Sequence, residues 1–434
     1  MIAGVAHKLR AARSDTLVVN STLIFMTTVL MAGGGAVFWV VAARLASPQD
    51  VGLAGSLVAA ADSLALFAQL GLNIAILKTM PTSDRKAADV TTATLVVGLA
   101  GAGFALIYCL LLPVTSPRLT SVLGSPIAIG TYCLLVAGTA VNVLSDSVFL
   151  AIDRVRDYLH LNGFLLGLTK CVLPFALAGA GALGLYGSVG GAVAVCAAAS
   201  LWAIYRHVPG RRALSPSRAL LDARRFAGAG YATYVLTVLP LLVFPLLVIN
   251  ALGSAHGASY FISFQIVTLL HAVILAVANA GYAEAERAPT GRHRLVRKSG
   301  MTLLVCSVAG AVVMYPLAPY FLQIFGDHYV TEGTWTLRIL SFATVGAAFN
   351  YWGAIRLRLA SHLPAMISVQ VLSTAVMLGL AVVLAPHGTV WVAAAWGTGH
   401  FVGGVAGYVA SATFARVPDS APASEELPAP VEAS

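Results

Sequence analysis

The sequence predicts an all-α polytopic membrane protein with about 12 transmembrane helices in two six-helix bundles, with both termini in the cytoplasm. Composition is the first indication, because 59% of the 434 residues are hydrophobic and only 10% are charged, whereas soluble domains carry roughly 25% charged residues. The second is a series of long apolar stretches, since about 20 apolar residues are needed to cross a bilayer as a helix. The third is the placement of basic residues in alternate connections.

The apolar stretches predict twelve helices in order along the chain. We place them near residues 17–43, 51–77, 90–114, 127–151, 161–182, 184–205, 231–252, 258–283, 300–324, 335–355, 363–385 and 390–413. The division between the fifth and sixth helices depends on the small-residue run from Gly179 to Gly187. If these two helices were one, the later basic loops would face the opposite side of the membrane.

Basic residues fix the predicted orientation, because short cytoplasmic loops of membrane proteins are enriched in Lys and Arg. With twelve helices, 22 of the 26 basic residues fall on the side of the N-terminus. Outside this set are Arg44 and Arg118 on the opposite side, and Lys170 and Arg338 within helices. We therefore expect a multi-pass protein of the inner (cytoplasmic) membrane, and we assign the net charge of +9 to topology rather than to binding of nucleic acid.

The chain divides at its longest charged connection. We predict an N-terminal bundle over 1–205, a basic cytoplasmic linker over 206–230, a C-terminal bundle over 231–415 and a disordered cytoplasmic tail over 416–434. Helix-breaking residues recur at matching places in the two halves and are candidate hinges. In the first helix they are Gly33, Gly34 and Gly35, and in the seventh they are Pro240 and Pro245.

Two ionisable residues near mid-membrane are the leading candidates for a transport pathway. A charge there costs about 2.5–3.5 kcal/mol, so such residues face a cavity or a partner. Asp62 shares a predicted helix face with Gln69 and Asn73, and Lys170 lies in the fifth helix. Lys170 could bind an anionic group of a substrate, or it could form an ion pair with Asp62 or Asp146 that joins two helices.

Further polar residues complete the predicted lining of the pathway. These are Asn142, Asp146, Gln265, His271, Arg338 and Asn350. Three of them have plain structural alternatives: Asp146 could reach cytoplasmic water, His271 could bond a neighbouring helix, and Arg338 could extend to the membrane interface.

The segment Ala43–Leu57 (ARLASPQDVGLAGSL), followed by Leu70–Leu77 (LGLNIAIL), resembles the opening of polysaccharide transporters. These belong to the multidrug/oligosaccharidyl-lipid/polysaccharide (MOP) flippase superfamily. The resemblance is clearest over residues 15–80, and the helix count and length extend it. It implies two bundles around a central cavity that opens alternately to the two sides, and a polyprenyl-diphosphate-linked oligosaccharide as cargo. In that family cationic residues line the cavity, and Lys170 is the residue that matches.

The resemblance implies a flippase that moves its cargo from the cytoplasmic to the external leaflet. The partners expected with it are the lipid-linked glycan, membrane lipids, and the glycan polymerase and glycosyltransferases of the same pathway. A drug/cation antiporter of the MATE type is the alternative, because Asp62 and Asp146 could bind a cation. Lipid II flippases usually carry fourteen helices, which disfavours that branch.

Enzymatic function is disfavoured by the sequence. The external connections are short, and no catalytic, nucleotide-binding or metal-binding motif occurs in the loops. The five cysteines all lie in predicted helices without metal-ligand spacing. We expect no cofactor and no metal.

Overall fold

The computed structural model describes residues 16–287, 291–360 and 362–414, and their regular secondary structure is entirely helical. Eleven helices of the twelve-helix numbering are α1 Thr16–Leu45, α2 Pro48–Phe67, α3 Lys86–Thr115, α4 Pro126–Ala151, α6 Gly181–His207, α7 Arg218–Leu252, α8 Ser254–Arg287, α9 Arg292–Gln323, α10 Asp327–Leu359, α11 Leu363–Leu384 and α12 Thr389–Phe414. The remaining one, α5, joins Val155–Tyr158, a π-helical turn Leu159–Leu165, and Leu166–Leu177. The predicted tail over 416–434 lies outside the described residues.

The all-α membrane class is confirmed. Nine helices in the described part of the chain are long and apolar enough to cross a membrane, with 155–207 counted as a single 53-residue span. That span contains both α5 and α6, which the chain separates at Gly181. The exact number of spans and their orientation stay predictions.

The predicted second helix, 51–77, is interrupted. α2 ends at Phe67, and a short helix, Leu72–Thr79, continues the chain after Leu70 and Gly71, which both have positive φ angles of 48° and 77°. Only glycine adopts such angles without cost. The interruption means that Asn73 does not continue the helix face that carries Asp62.

The separation of α5 from α6 agrees with the prediction and is held by Asp50. Gly181 has a φ of +64°, and the backbone N–H of the next residue, Ala182, donates to Asp50 Oδ1 at 3.2 Å. The other carboxylate oxygen of Asp50 accepts a hydrogen bond from Ser47 Oγ at 2.7 Å, and Ser47 also caps the N-terminus of α2. One carboxylate therefore joins the start of α2 to the α5–α6 turn.

α7 begins within the residues predicted as the 206–230 linker. α6 runs to His207 and α7 begins at Arg218, thirteen residues before the predicted start at 231. Asp89, which is 1% exposed, accepts hydrogen bonds from the backbone N–H and the hydroxyl of Ser217 at 2.6 and 3.0 Å. The same carboxylate accepts from Ser83 Oγ at 2.6 Å, so the end of the connection is fixed to the N-terminal half.

The largest apolar core that the two halves share lies toward one end of the molecule. The largest apolar cluster contains residues of both halves, such as Trp39 and Leu57 with Phe261 and Leu322. A separate cluster around Ile76 and Val90 is formed by the first six helices together with Leu220 of α7, and another around Ile274 and Leu303 belongs to the last six. The shared cluster lies toward the end predicted to be external, so the halves are closed against each other there.

Candidate functional site

Two adjoining cavities lie between the halves of the molecule. One, of about 190 Å³, is bounded by α2, α7, α8 and α12, and the other, of about 220 Å³, by α1, α2, α5, α6 and α8. Asp62, Gln265 and Thr268 line both cavities. These three residues therefore mark where the two spaces meet, on the facing surfaces of α2 and α8.

Asp62 is the acidic group of this site. It follows the buried Ala61 and precedes the buried Ser63, yet its own side chain is exposed because it faces the cavity. It interacts electrostatically with Lys170, although no ion pair within 4 Å joins them among the described residues. The carboxylate is thus deep in the protein and accessible from the cavity.

Lys170 is the basic group of the site and projects from α5 into the 220 Å³ cavity. The side chain is partly buried. No described residue forms an ion pair with its ammonium, and none accepts a hydrogen bond from it. Removing an ammonium from water costs free energy unless an anion pairs with it. The cavity therefore favours binding of an anionic group next to Lys170.

Aromatic side chains form much of the remaining wall. Trp39 contacts Phe261 edge-on with ring centroids 4.6 Å apart, and Phe264 contacts Trp396 in the same way at 5.7 Å. Tyr260 lines the 190 Å³ cavity and its hydroxyl has no partner within the described structure. An apolar, aromatic wall with a few polar groups is the usual composition of a small-molecule binding cavity.

The predicted hinge residues lie close to these cavities. Pro240 and Pro245 sit within the continuous helix α7 and line the 190 Å³ cavity, and Gly35 lines the other. Gly34 allows α1 to approach α5, since a Cβ there would lie 2.8 Å from Gly167 Cα, whereas Gly33 has open space around it. Gly34 therefore serves helix packing, and bending at these positions stays a prediction.

Two residues that the sequence grouped with Asp62 lie elsewhere. Gln69 is 1% exposed, and its Nε2 donates to the carbonyl oxygens of Ala65 at 3.0 Å and Ala140 at 2.9 Å. It thereby joins α2 to α4. Asn73 lies beyond the break in the second helix, on the short helix Leu72–Thr79, and lines neither cavity.

The predicted residues of helix four lie inside the N-terminal half. Asn142 Nδ2 donates to Asn162 Oδ1 at 2.9 Å, and both residues are buried. Asp146 lies one turn along on the same face of α4, with a buried Oδ1 that has no partner in the described structure. Neither Asn142 nor Asp146 lines the central cavities.

Polar residues of the C-terminal half bind one another behind the cavity wall. His271 Nε2 lies 2.6 Å from the Tyr351 hydroxyl, and Asn350 Nδ2 lies 3.1 Å from His400 Nδ1. Trp396 packs against both imidazoles, with centroid distances of 5.7 and 4.7 Å. Since Trp396 also lines the 190 Å³ cavity, these polar pairs lie in the layer that supports it.

Arg338 has a structural role away from both cavities. Its Nε donates to the carbonyl oxygen of Tyr315 at 3.0 Å. That carbonyl would normally bond the N–H four residues on, but Pro319 has no N–H to give. The guanidinium also stacks on the rings of Tyr315 and Trp335 at 4.5 and 4.8 Å.

Contacts that close the end predicted to be external were missed by the sequence reasoning. A Cβ on Gly52 would lie 1.9 Å from the carbonyl oxygen of Ser254, so α2 and α8 touch backbone to backbone. Arg44 donates from Nε and Nη2 to the carbonyl oxygens of Gln323 and Ile324 at 2.9–3.1 Å. The one available signal was that Arg44 is a rare basic residue on that side of the membrane.

Comparison with solved structures gives the fold. MurJ, a lipid II flippase in an inward closed conformation, has a TM-score of 0.71 at 9% identity, covering 91% of this chain and 87% of that chain. A multidrug resistance MATE family transporter of the MOP superfamily, in an inward-facing conformation, has a TM-score of 0.67 at 14% identity, covering 89% and 95%. A MOP superfamily transporter from Pyrococcus furiosus has a TM-score of 0.60 at 17% identity, covering 91% and 95%. The fold is that of these transporters.

No family model and no curated protein matches the sequence. The two-bundle fold implied by the resemblance to the MOP superfamily agrees with these neighbours. Membership of its polysaccharide transporter family stays a prediction.

Proposed function

We propose that the protein is a flippase of the cytoplasmic membrane that moves a polyprenyl-diphosphate-linked oligosaccharide from the cytoplasmic to the external leaflet. The observation that carries this proposal is the position of Lys170. Its ammonium faces a cavity between the two halves and has no hydrogen-bond acceptor or ion-pair partner within the described structure. The transporter fold of the neighbouring structures supports it as well.

The chemistry of the cavity suits such a cargo. Lys170 supplies a positive point charge for a phosphate group. The aromatic wall around Trp39 and Trp396 offers flat apolar surfaces to sugar rings and to the isoprenoid chain. Asp62 interacts electrostatically with Lys170 without forming an ion pair, which leaves the ammonium available to a phosphate, and its carboxylate can accept hydrogen bonds from sugar hydroxyls.

The way that the halves meet supports transport by alternating access. The contacts of Gly52 and Arg44 close one end, whereas at the other end the apolar residues form two separate clusters, of which the first includes Leu220 of α7. Separation of the first contacts and approach of the second set would expose the cavity to the opposite side. The glycan polymerase and glycosyltransferases of the pathway are the proposed partners.

A drug/cation antiporter is the second candidate, and Asp62 favours it. This carboxylate is exposed in the cavity and could bind a cationic drug if Lys170 turned away. The two candidate functions depend on different residues, because the flippase requires Lys170 and the antiporter requires Asp62.

The test uses a strain depleted of the protein, in which lipid-linked oligosaccharide on the cytoplasmic leaflet is measured. We expect this intermediate to accumulate, and wild type but not Lys170→Ala to relieve it. Lys298→Ala is the matched control, because Lys298 is exposed on α9 outside both cavities. If Lys170→Ala also relieves the accumulation, Lys170 is not the residue that binds the phosphate.

The antiporter is tested in the same strain. Absence of accumulation, combined with drug sensitivity that wild type relieves and Asp62→Asn does not, would reject the flippase and support the antiporter.

A further inference from the structure

A third cavity, of about 390 Å³, lies at the end of the molecule predicted to be cytoplasmic. Its wall combines the first turn of α3 with the connection between α6 and α7. The lining residues are 84–88 and 209–211, together with Ala213 and Ser215. It shares no lining residue with the two central cavities, and the flippase proposal assigns it no role.

The wall of this cavity is positively charged. Its lining contains one carboxylate, that of Asp84, and three basic side chains, those of Arg85, Lys86 and Arg211. None of the three forms an ion pair or a side-chain hydrogen bond within the described residues, whereas the next arginine of the connection, Arg212, stacks on an aromatic ring at 4.2 Å. Like charges gathered in one cavity repel one another, so an anion between them would be stabilised.

The first turn of α3 adds hydrogen-bond donors to the same cavity. The first N–H groups of a helix have no acceptor within the helix, and no side chain caps α3 at Arg85. Ala87 and Ala88 line the cavity and are 3% and 5% exposed, and neither backbone N–H has an acceptor in the described structure. Asp89 of the same turn does not line the cavity, since its carboxylate binds Ser217 instead. These N–H groups and the positive end of the helix dipole suit a phosphate.

The opposite wall of the cavity belongs to the connection between the halves. Gly210 has a φ of +140° and lies against α3, because a Cβ there would be 3.3 Å from Ala87 Cβ. At its far end the connection is bonded to Asp89 of α3 through Ser217. An anion bound by both Arg211 and the first turn of α3 would hold the connection to α3 at a second point.

We propose that this cavity binds a phosphate group, held by Arg85, Lys86 and Arg211 and by the N–H groups at the start of α3. The oxygens of a phosphate accept several charge-assisted hydrogen bonds at once, and an arginine can donate two parallel bonds to them. Since the cavity lies at the predicted cytoplasmic surface of the membrane, the phosphate belongs to an anionic phospholipid headgroup or is free in the cytoplasm. Its binding restrains the connection through which the two halves move relative to each other.

The experiment uses purified full-length Lys170→Ala as the parent protein, so that the proposed cargo site does not contribute and the result is independent of the flippase proposal. In one arm, binding of ³²P-labelled orthophosphate is measured by equilibrium dialysis. In the other, the melting temperature is measured in mixed micelles with anionic phosphatidylglycerol or with zwitterionic phosphatidylcholine. The test variant adds Arg85→Gln and Arg211→Gln to the parent. The matched control adds Arg294→Gln and Arg297→Gln, two exposed arginines of α9 outside the cavity.

For free phosphate, we expect saturable orthophosphate binding in the parent and the control, and at least tenfold weaker binding in the test variant. For a lipid headgroup, we expect no orthophosphate binding, and a melting temperature that is higher in phosphatidylglycerol than in phosphatidylcholine for the parent and the control but not for the test variant. All four replaced arginines are exposed, so both variants should fold. Equal behaviour of the test variant and the control in both arms would overturn the proposal.

Discussion

Substitution of Gly52 by alanine should shift the molecule away from the state in which the predicted external end is closed. The added Cβ would lie 1.9 Å from Ser254 O and 2.9 Å from Ala258 N. Both atoms belong to the backbone at the start of α8, so no side-chain rotation can relieve the overlap. The two halves must move apart at this end to accommodate the methyl group.

The size of the effect follows from the cost of overpacking, which is about 1–3 kcal/mol for an added methyl group in a packed interior. The cost applies only where α2 and α8 touch. A state open at this end has no such overlap, so the substitution destabilises only the closed state. The ratio of closed to open molecules should therefore fall by roughly 5- to 150-fold. Shifts of this size turn a minor state into a readily detected one.

Electron–electron double resonance measures this shift directly. Spin labels at Ser121→Cys and Thr331→Cys, both exposed near the predicted external end of opposite halves, report the separation in a background without the five native cysteines. We expect a longer-distance population in Gly52→Ala. Gly130→Ala is the matched control, since a Cβ there meets nothing within 4 Å. An unchanged distance distribution in folded Gly52→Ala would refute the reasoning.

Three further substitutions test the contacts described above. Asp89→Ala leaves the Ser217 N–H and hydroxyl without their acceptor. It should lower stability by about 1–3 kcal/mol and speed trypsin cleavage between the halves. Unchanged cleavage would show that contacts other than those of Asp89 hold the connection in place. Gln69→Leu removes the hydrogen bond to Ala140 O and should lower stability by only about 0.6–1.5 kcal/mol without loss of transport. Loss of transport at an unchanged melting temperature would instead show that Gln69 contacts the cargo. Arg44→Ala removes hydrogen bonds between the halves, each worth about 1.5–3 kcal/mol. It should produce the same long-distance population as Gly52→Ala. A distance distribution identical to that of wild type would show that Arg44 does not hold the end closed.

Hydropathy was sufficient for the fold class because the bilayer imposes long apolar helices on any sequence that crosses it. It was not sufficient for interruptions. The break after Phe67 depends on positive φ angles at Leu70 and Gly71, and a leucine in that conformation carries no signal in the sequence. α7 begins early, at Arg218, where Ser217 caps the helix by accepting from the Leu220 N–H, and Ser217 is in turn bound by Asp89, 128 positions away.

The site was predicted in part for a related reason. Helical periodicity tells which residues share a face, but it does not tell which neighbour that face meets. Asp62, Lys170 and Gln265 face the central cavities, whereas Gln69 and His271 use equally polar side chains to bond adjacent helices. The pairing of helices, which decides between these outcomes, is a property of the tertiary structure alone.

The most direct test of the account is leaflet transfer in proteoliposomes that contain the purified protein and a fluorescent polyprenyl-diphosphate-linked oligosaccharide. The fraction of cargo reached by a membrane-impermeant quencher is followed over time. We expect wild type and Lys298→Ala to move cargo between leaflets, Lys170→Ala to fail, and Lys170→Arg to restore transfer in part because it keeps the charge. Transfer by Lys170→Ala at the wild-type rate, or no transfer by wild type alongside movement of a cationic drug, would contradict the central claim.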